Sequence, residues 1–216
     1  MANCMVWIVS LLGGYLVGGI PFGYLIGRLR GVDVRTVASK NIGATNVYRT
    51  VGPKWGFLAF ACDFLKGFVP ALCAHRFAQG SGNAAFAELP IATGLACVIG
   101  HTLTVYMRFR GGKGVATAFG MLIALLPATV GIAFAIFALT FACSNYISLG
   151  SCVAATSLAV MVWIPFLDHA GSRDLPLSIL VTLIAAFIVW KHRSNIGRLV
   201  RGEENKIFLF KKPSNV

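Results

Sequence analysis

Acidic residues are scarce in this chain: seven Asp and Glu stand against nineteen Lys and Arg among 216 residues. Charged residues of both signs make up only 12%, whereas 57% are hydrophobic and the mean hydropathy is +0.77. A soluble domain of this size faces too much water to conceal so much apolar surface, which points to an integral membrane protein. The few carboxylates include no aspartate-rich metal motif, which excludes transfer chemistry on a CDP-linked lipid. The cysteines at 4, 62, 73, 97, 143 and 152 form no C-x-x-C pair and none stands at zinc-ligand spacing from a histidine. That excludes a metal centre and a disulfide framework as readings. No tandem repeat, low-complexity tract or linker divides the chain, so a single membrane-embedded domain over residues 1–216 is expected.

Long apolar runs are plentiful. They cover residues 4–26, 55–73, 84–106, 115–143, 147–166 and 175–190. The first has no basic segment before it and no convincing cleavage site, so it reads as a retained span rather than a signal peptide. The 115–143 run is too long for one ordinary span of about 20 residues and short for two. Basic residues decide between these. Arg28, Arg30, Arg35, Lys40, Arg49 and Lys54 cluster after the first run, Arg108, Arg110 and Lys113 after the third, and Lys191 to Lys212 at the end. All three clusters fall inside if the 115–143 run crosses twice with a turn near Pro127, as the positive-inside rule favours. The expectation is an all-α, polytopic helical protein of about seven transmembrane helices, the fourth and fifth short, with the N-terminus out and the C-terminus in. The basic balance then reflects topology and anionic lipid or substrate rather than nucleic acid.

Three polar stretches interrupt the apolar chain, all expected on the inner side. In Arg110-Gly111-Gly112-Lys113-Gly114, close glycines let backbone N–H groups turn toward one point ahead of a helix, a concavity suited to phosphate. It is not a Walker A loop, because Met107 occupies the first glycine's place and Gly114 replaces the Mg²⁺-binding hydroxyl. A basic hairpin anchoring to headgroups would look similar. Ser39-Lys40-Asn41-Ile42-Gly43-Ala44-Thr45-Asn46, with Arg49, offers hydrogen-bonding side chains around a glycine and a guanidinium fork for phosphate oxygens. An ordinary solvated loop is the alternative. His192, Asn195 and Arg198 recur at three-residue steps, so a helix continuing past the last span would carry them on one face.

Asp63 and Lys66 sit three apart near the middle of the second span, where an isolated charge costs about 2.5–3.5 kcal/mol on insertion scales. An internal structural pair is the preferred reading. Ser148 and Ser151 open the sixth span, where hydroxyls often bond their own backbone. His169 and Asp174 match an H-x4-D spacing used by an unrelated acyltransferase family, but in a loop expected outside, and are set aside.

In this order and at these spacings, the stretches resemble the bacterial acyl-phosphate:glycerol-3-phosphate acyltransferases. The resemblance runs from about Gly18 to Lys206 and takes in Ile20-Pro21-Phe22-Gly23, the Ser39–Asn46 stretch with Arg49, Gly100-His101, Phe109 through Thr117, Asp63 to Gly67, and His192 with Asn195, Arg198 and Glu203. Three positions depart from it: Gly19 where serine is usual, Ala38 where glycine is common, and Thr104 for a frequent proline.

The resemblance implies acyl transfer from acyl phosphate to the sn-1 hydroxyl of glycerol 3-phosphate, giving lysophosphatidate and phosphate in a bacterial cytoplasmic membrane. Acyl phosphate is already activated, so no cofactor or metal is called for, and no obligate protein partner is evident. Lys113, Arg49 and the backbone of Gly111, Gly112 and Gly114 would hold phosphate. Ser39, Asn41, Gly43, Thr45, Asn46, Ser151 and Arg198 would orient the substrates. His192 would be a general base or a phosphate ligand with Asn195 beside it, and Glu203 would brace Arg198 or the tail. A phosphate transporter and a non-catalytic scaffold are the competing classes. A topology reporter fused at Val216 is expected on the cytoplasmic side, and an extracytoplasmic signal would overturn the span count.

Overall fold

The computed structural model describes residues 2–164 and 175–208. The His169 and Asp174 pair lies outside the described residues. Among those described, regular structure is helical throughout. The helices are α1 (Ala2–Gly19), α2 (Phe22–Leu29), α3 (Ala44–Thr50), α4 (Pro53–Ser81), α5 (Leu89–Thr102), α6 (Val115–Leu125), α7 (Pro127–Ser144), α8 (Ile147–Met161), α9 (Leu175–Lys191) and α10 (Arg193–Val200).

Prolines set the breaks. Pro21 has no N–H to continue a helix and pushes Ile20 away from helical geometry, so the expected first span is not continuous but divides into α1 and α2. The same effect acts before Pro127. Leu126 leaves helical geometry at φ −134° and ψ 59°, and the 115–143 run divides into α6 and α7. Among the described residues, four stretches are long and apolar enough to cross a bilayer: Ala2–Leu29, Pro53–Ser81, Ala84–Met107 and Pro127–Ser144. A fifth is α9 with α10, if that pair, bent by 54°, counts as one span. Of the two spans expected to be short, the fourth, α6, is so with 11 residues, whereas the fifth, α7, is not, and the other short apolar helix is α8 with 15. Turning at Leu126 leaves α7 the larger share, 18 residues.

The chain sorts into two compact units, Met1–Pro127 and Ala128–Val216. In the first, α4 is the central helix, packed by α3, α5 and α6, and α1 lies along α5. Its buried residues include Gly56, Ala59, Asp63 and Gly67. These recur at steps close to whole turns, so they share one face. A Cβ on Gly67 would come within 2.1 Å of the Thr117 carbonyl oxygen, so glycine alone permits α6 to lie this close. In the second unit α8 packs on α9, tied by Ser178 Oγ donating to the Val162 carbonyl and Trp163 Nε1 donating to Thr182 Oγ1. Apolar side chains face outward at the same time. Leu139 is 68% exposed and Leu183 62%, the surface a lipid-solvated helix presents.

Candidate active site

The loop before α3 is built around a buried amide. Asn46 is 1% exposed, and its NH₂ group donates to the carbonyls of Val34 at 2.7 Å, Asn41 at 2.8 Å and Val37 at 3.3 Å. Its Oδ1 accepts the Ser39 N–H at 3.1 Å. Asn46 therefore folds the loop rather than meeting a substrate, contrary to the expectation. Asn41 Oδ1 likewise accepts the Gly43 N–H at 2.8 Å, shaping the start of α3. What this frame presents is the exposed Ser39, the half-buried Thr45, and Arg49 in the last turn of α3. Just upstream, hydrogen bonds from Arg35 to Asp33 hold that carboxyl down at about 2.

The glycine-rich loop corrects the expectation more sharply. The Gly111 N–H donates to the Thr102 carbonyl and the Gly112 N–H to the His101 carbonyl, both at 3.1 Å. These two donors satisfy orphan acceptors at the C-terminal end of α5, so they do not point at a ligand. Glycine is needed there for closeness. A Cβ on Gly112 would stand 2.1 Å from His101 Nε2, and one on Gly111 would stand 2.0 Å from the His101 carbonyl oxygen. Gly114, at φ +83°, turns the chain into α6. The N–H groups at the start of α6 follow it and have no partner within their own helix. Lys113, half-buried, stands between the loop glycines and that helix start.

Beneath the loop lies a buried ionic cluster. Lys66 Nζ is 2.7 Å from Asp63 Oδ1, and His101 Nδ1 is 3.6 Å from the same oxygen. Lys66 also donates to the Ile20 carbonyl at 2.8 Å, at the break between α1 and α2. The Asp63–Lys66 pair is thus internal, and His101 is the member that spacing did not pick out. Gly56 and Gly67 lie three turns apart on the same face of α4. Gly56 meets Tyr48 of α3, and Gly67 meets Thr117 of α6. Both polar segments of the unit are therefore seated along about 16 Å of one helix.

In the second unit the chain bends by 54° between α9 and α10, with His192 at the bend, so no single helix carries His192, Asn195 and Arg198. Glu204 assembles the group instead. Its Oε1 accepts Asn195 Nδ2 at 2.7 Å and Ser148 Oγ at 3.1 Å, and its Oε2 accepts Arg198 Nε at 2.7 Å. Glu203, expected beside Arg198, pairs with Arg201 in the exposed tail. Ser151 Oγ donates to the Ile147 carbonyl of its own helix. His192 is buried, and its Nδ1 lies 2.8 Å from the Ile188 carbonyl oxygen. A carbonyl only accepts, so Nδ1 carries a proton and the neutral ring keeps its lone pair on Nε2.

Residues 8–202 match the glycerol-3-phosphate acyltransferase family. The chain belongs to that family. Among glycerol-3-phosphate acyltransferases, that of Geotalea daltonii is 45% identical over 202 residues, covering 92% of this chain and 96% of its own. The relative from Trichlorobacter lovleyi is 45% identical over 206 residues, covering 95% and 98%. A crystal structure of PlsY, an integral membrane glycerol 3-phosphate acyltransferase in its glycerol 3-phosphate form, superposes with a TM-score of 0.83. It is 37% identical and covers 94% of this chain and 96% of that one. The lysophosphatidic acid form of PlsY gives 0.79 at 36% identity over the same shares. An all-helical integral membrane acyltransferase is the architecture these likenesses and the apolar helices establish.

Two of the departures from the family pattern touch each other. Thr104 Oγ1 donates to the Gly19 carbonyl at 2.6 Å, and a Cβ at Gly19 would stand 3.4 Å from that hydroxyl. The third, Ala38, holds φ +49°, where a Cβ is crowded and glycine is not. Glu204 gives this acyltransferase an acid-sensitive joint. Burial pushes its carboxyl up, but the bonds from Asn195, Arg198 and Ser148 outweigh that and hold it below the ordinary glutamate range. Its stabilisation is complete above that ordinary range and is lost as pH falls through the lowered value. On acidification from about pH 6 to about pH 3, the wild-type unfolding midpoint should fall further than that of Glu204→Gln. Parallel curves would contradict this role.

Proposed function

We propose that this glycerol-3-phosphate acyltransferase takes its acyl group from acyl phosphate and delivers it to the sn-1 hydroxyl, yielding lysophosphatidate and inorganic phosphate. The observation that carries the reading is the superposition on PlsY in its glycerol 3-phosphate and lysophosphatidic acid forms over 94% of the chain. Substrate and product of one acyl transfer are thereby represented on the same backbone. The reading places the protein in a bacterial cytoplasmic membrane, with about seven spans, the C-terminus and the polar mouth facing the cytosol. An acyl tail suits the apolar helices, while phosphate groups suit the basic loops.

At residue level, Lys113 and Arg49 neutralise phosphate, aided by the N–H groups at the start of α6. Ser39 and Thr45 hydrogen-bond the glycerol or a phosphate oxygen. The hydroxyl oxygen attacks the acyl carbonyl carbon, the bond from that carbon to the phosphate oxygen breaks, and phosphate departs with the electron pair. The hydroxyl proton passes to His192 Nε2 or to a phosphate oxygen of the substrate. The tautomer fixed by Ile188 supports His192 as acceptor, since Nε2 carries the lone pair. Asn195 and Arg198 are held by Glu204, which fixes the segment that follows His192.

Phosphate release by purified protein in detergent should require acyl phosphate and glycerol 3-phosphate together. Release with either substrate alone, or substrate movement across vesicles without release, would refute the transfer reading and favour a transporter. Acyl thioesters offered as donors should not replace acyl phosphate. Lys113→Ala and Arg49→Ala each remove a charge-assisted bond of about 1.5–3 kcal/mol, roughly ten- to hundredfold in kcat/KM. At saturating substrates His192→Ala should lower kcat about 10²- to 10⁴-fold. An unchanged kcat would assign the proton to the substrate phosphate.

A further inference from the structure

We infer that His101, held by Asp63, is a positioning residue that sets the height of the glycine-rich loop and thereby the place of Lys113. The inference deepens the phosphate-binding role proposed above and rests on it. Three observations carry it. First, the loop hangs from the end of α5, because Gly111 and Gly112 give their N–H groups to the Thr102 and His101 carbonyls. Second, the imidazole is the surface on which the loop rests: a Cβ at Gly112 would meet Nε2 at 2.1 Å, Cε1 at 2.9 Å and Cδ2 at 3.1 Å. All three of those atoms belong to one ring, so its orientation decides how far residue 112 can descend.

Third, that ring is oriented by a buried charge. Asp63 Oδ1 stands 3.6 Å from Nδ1, too long for a hydrogen bond but close for an electrostatic contact in surroundings where Asp63, Lys66 and His101 are 2%, 4% and 5% exposed. Lys66 prevents Asp63 from turning away, since it grips Oδ1 at 2.7 Å and is itself moored to the Ile20 carbonyl. The same mooring reaches the other polar segment of the unit. Ile20 leads into α2, where a Cβ on Gly23 would lie 1.9 Å from the Ile42 carbonyl in the Asn46-centred loop. Asp63 is thus the common anchor beneath both segments.

The test uses a compensating pair. Gly112→Ala drives a methyl group into the ring. His101→Asn removes the outer ring atoms while its amide can still reach toward Asp63. Wild type, both single variants, their combination and Asp63→Asn are purified whole in detergent. KM for glycerol 3-phosphate and kcat are measured at saturating acyl phosphate, together with calorimetric Kd for glycerol 3-phosphate alone and the unfolding midpoint. Gly112→Ala should raise KM and Kd about tenfold or more, and adding His101→Asn should recover at least about threefold of that loss. Asp63→Asn should raise both constants about tenfold, with kcat within about threefold of wild type. Multiplicative losses in the combined variant, or an Asp63→Asn protein with a lowered midpoint and unchanged KM and Kd, would overturn the inference. If wild type binds glycerol 3-phosphate but releases no phosphate, the transfer reading fails, while the Kd comparison still decides the role of His101.

Discussion

Burying the Asp63 carboxylate among apolar helices is tolerable only because Lys66 meets it at 2.7 Å on the same helix. A lone charge at that depth would be strongly destabilising, so the pair forces α4 to present one polar point to its neighbours. Those neighbours are arranged around it. The α1–α2 break brings its Ile20 carbonyl to Lys66, and α5 brings His101 to Asp63. α6 lies close because Gly67 offers no side chain. The contacts at Gly56 and Gly67 already hold α4 against its neighbours, and the pair adds a polar point that resists sliding or rotation. With it, the registers of α1, α5 and α6 against α4 are fixed.

That register explains how irregular segments keep their shape next to an apolar body. Backbone groups in such surroundings must find partners within the protein. The glycine-rich loop does so by spending two N–H groups on the end of α5, and the loop before α3 does so through the Asn46 side chain. Under the proposed function, the loops therefore serve as mounts for Lys113, Arg49 and Ser39, because the N–H groups of Gly111 and Gly112 are engaged with the end of α5.

Much of this was legible from the chain. The apolar runs located the helices, Pro127 located the division of the longest run, and the three polar stretches with their order identified the family. What escaped depended on partners distant in sequence. The glycines of 111 and 112 look the same whether their N–H groups face a ligand or a neighbouring carbonyl, and only the proximity of α5 decides. Asn46 shares the composition of a ligand-binding loop, yet its burial beneath three carbonyls makes it a scaffold. Glu203 and Glu204 are adjacent and chemically identical. The bend at His192 and the approach of Ser148 select Glu204, and periodicity carried no trace of either. Pro21 splits the first apolar run into α1 and α2, a division that the hydropathy of the run does not show.

The most direct test is a double-mutant cycle on the buried pair, using Asp63→Asn, Lys66→Met and both together, with unfolding followed in mixed detergent micelles. Each single change leaves one charge or its mooring uncompensated and should cost about 3–5 kcal/mol. The combined protein should recover most of that stability, giving a coupling of about 3 kcal/mol or more, while glycerol 3-phosphate binding stays weak because His101 has lost its anchor. Additive losses of stability, or full recovery of substrate binding in the combined protein, would contradict the account.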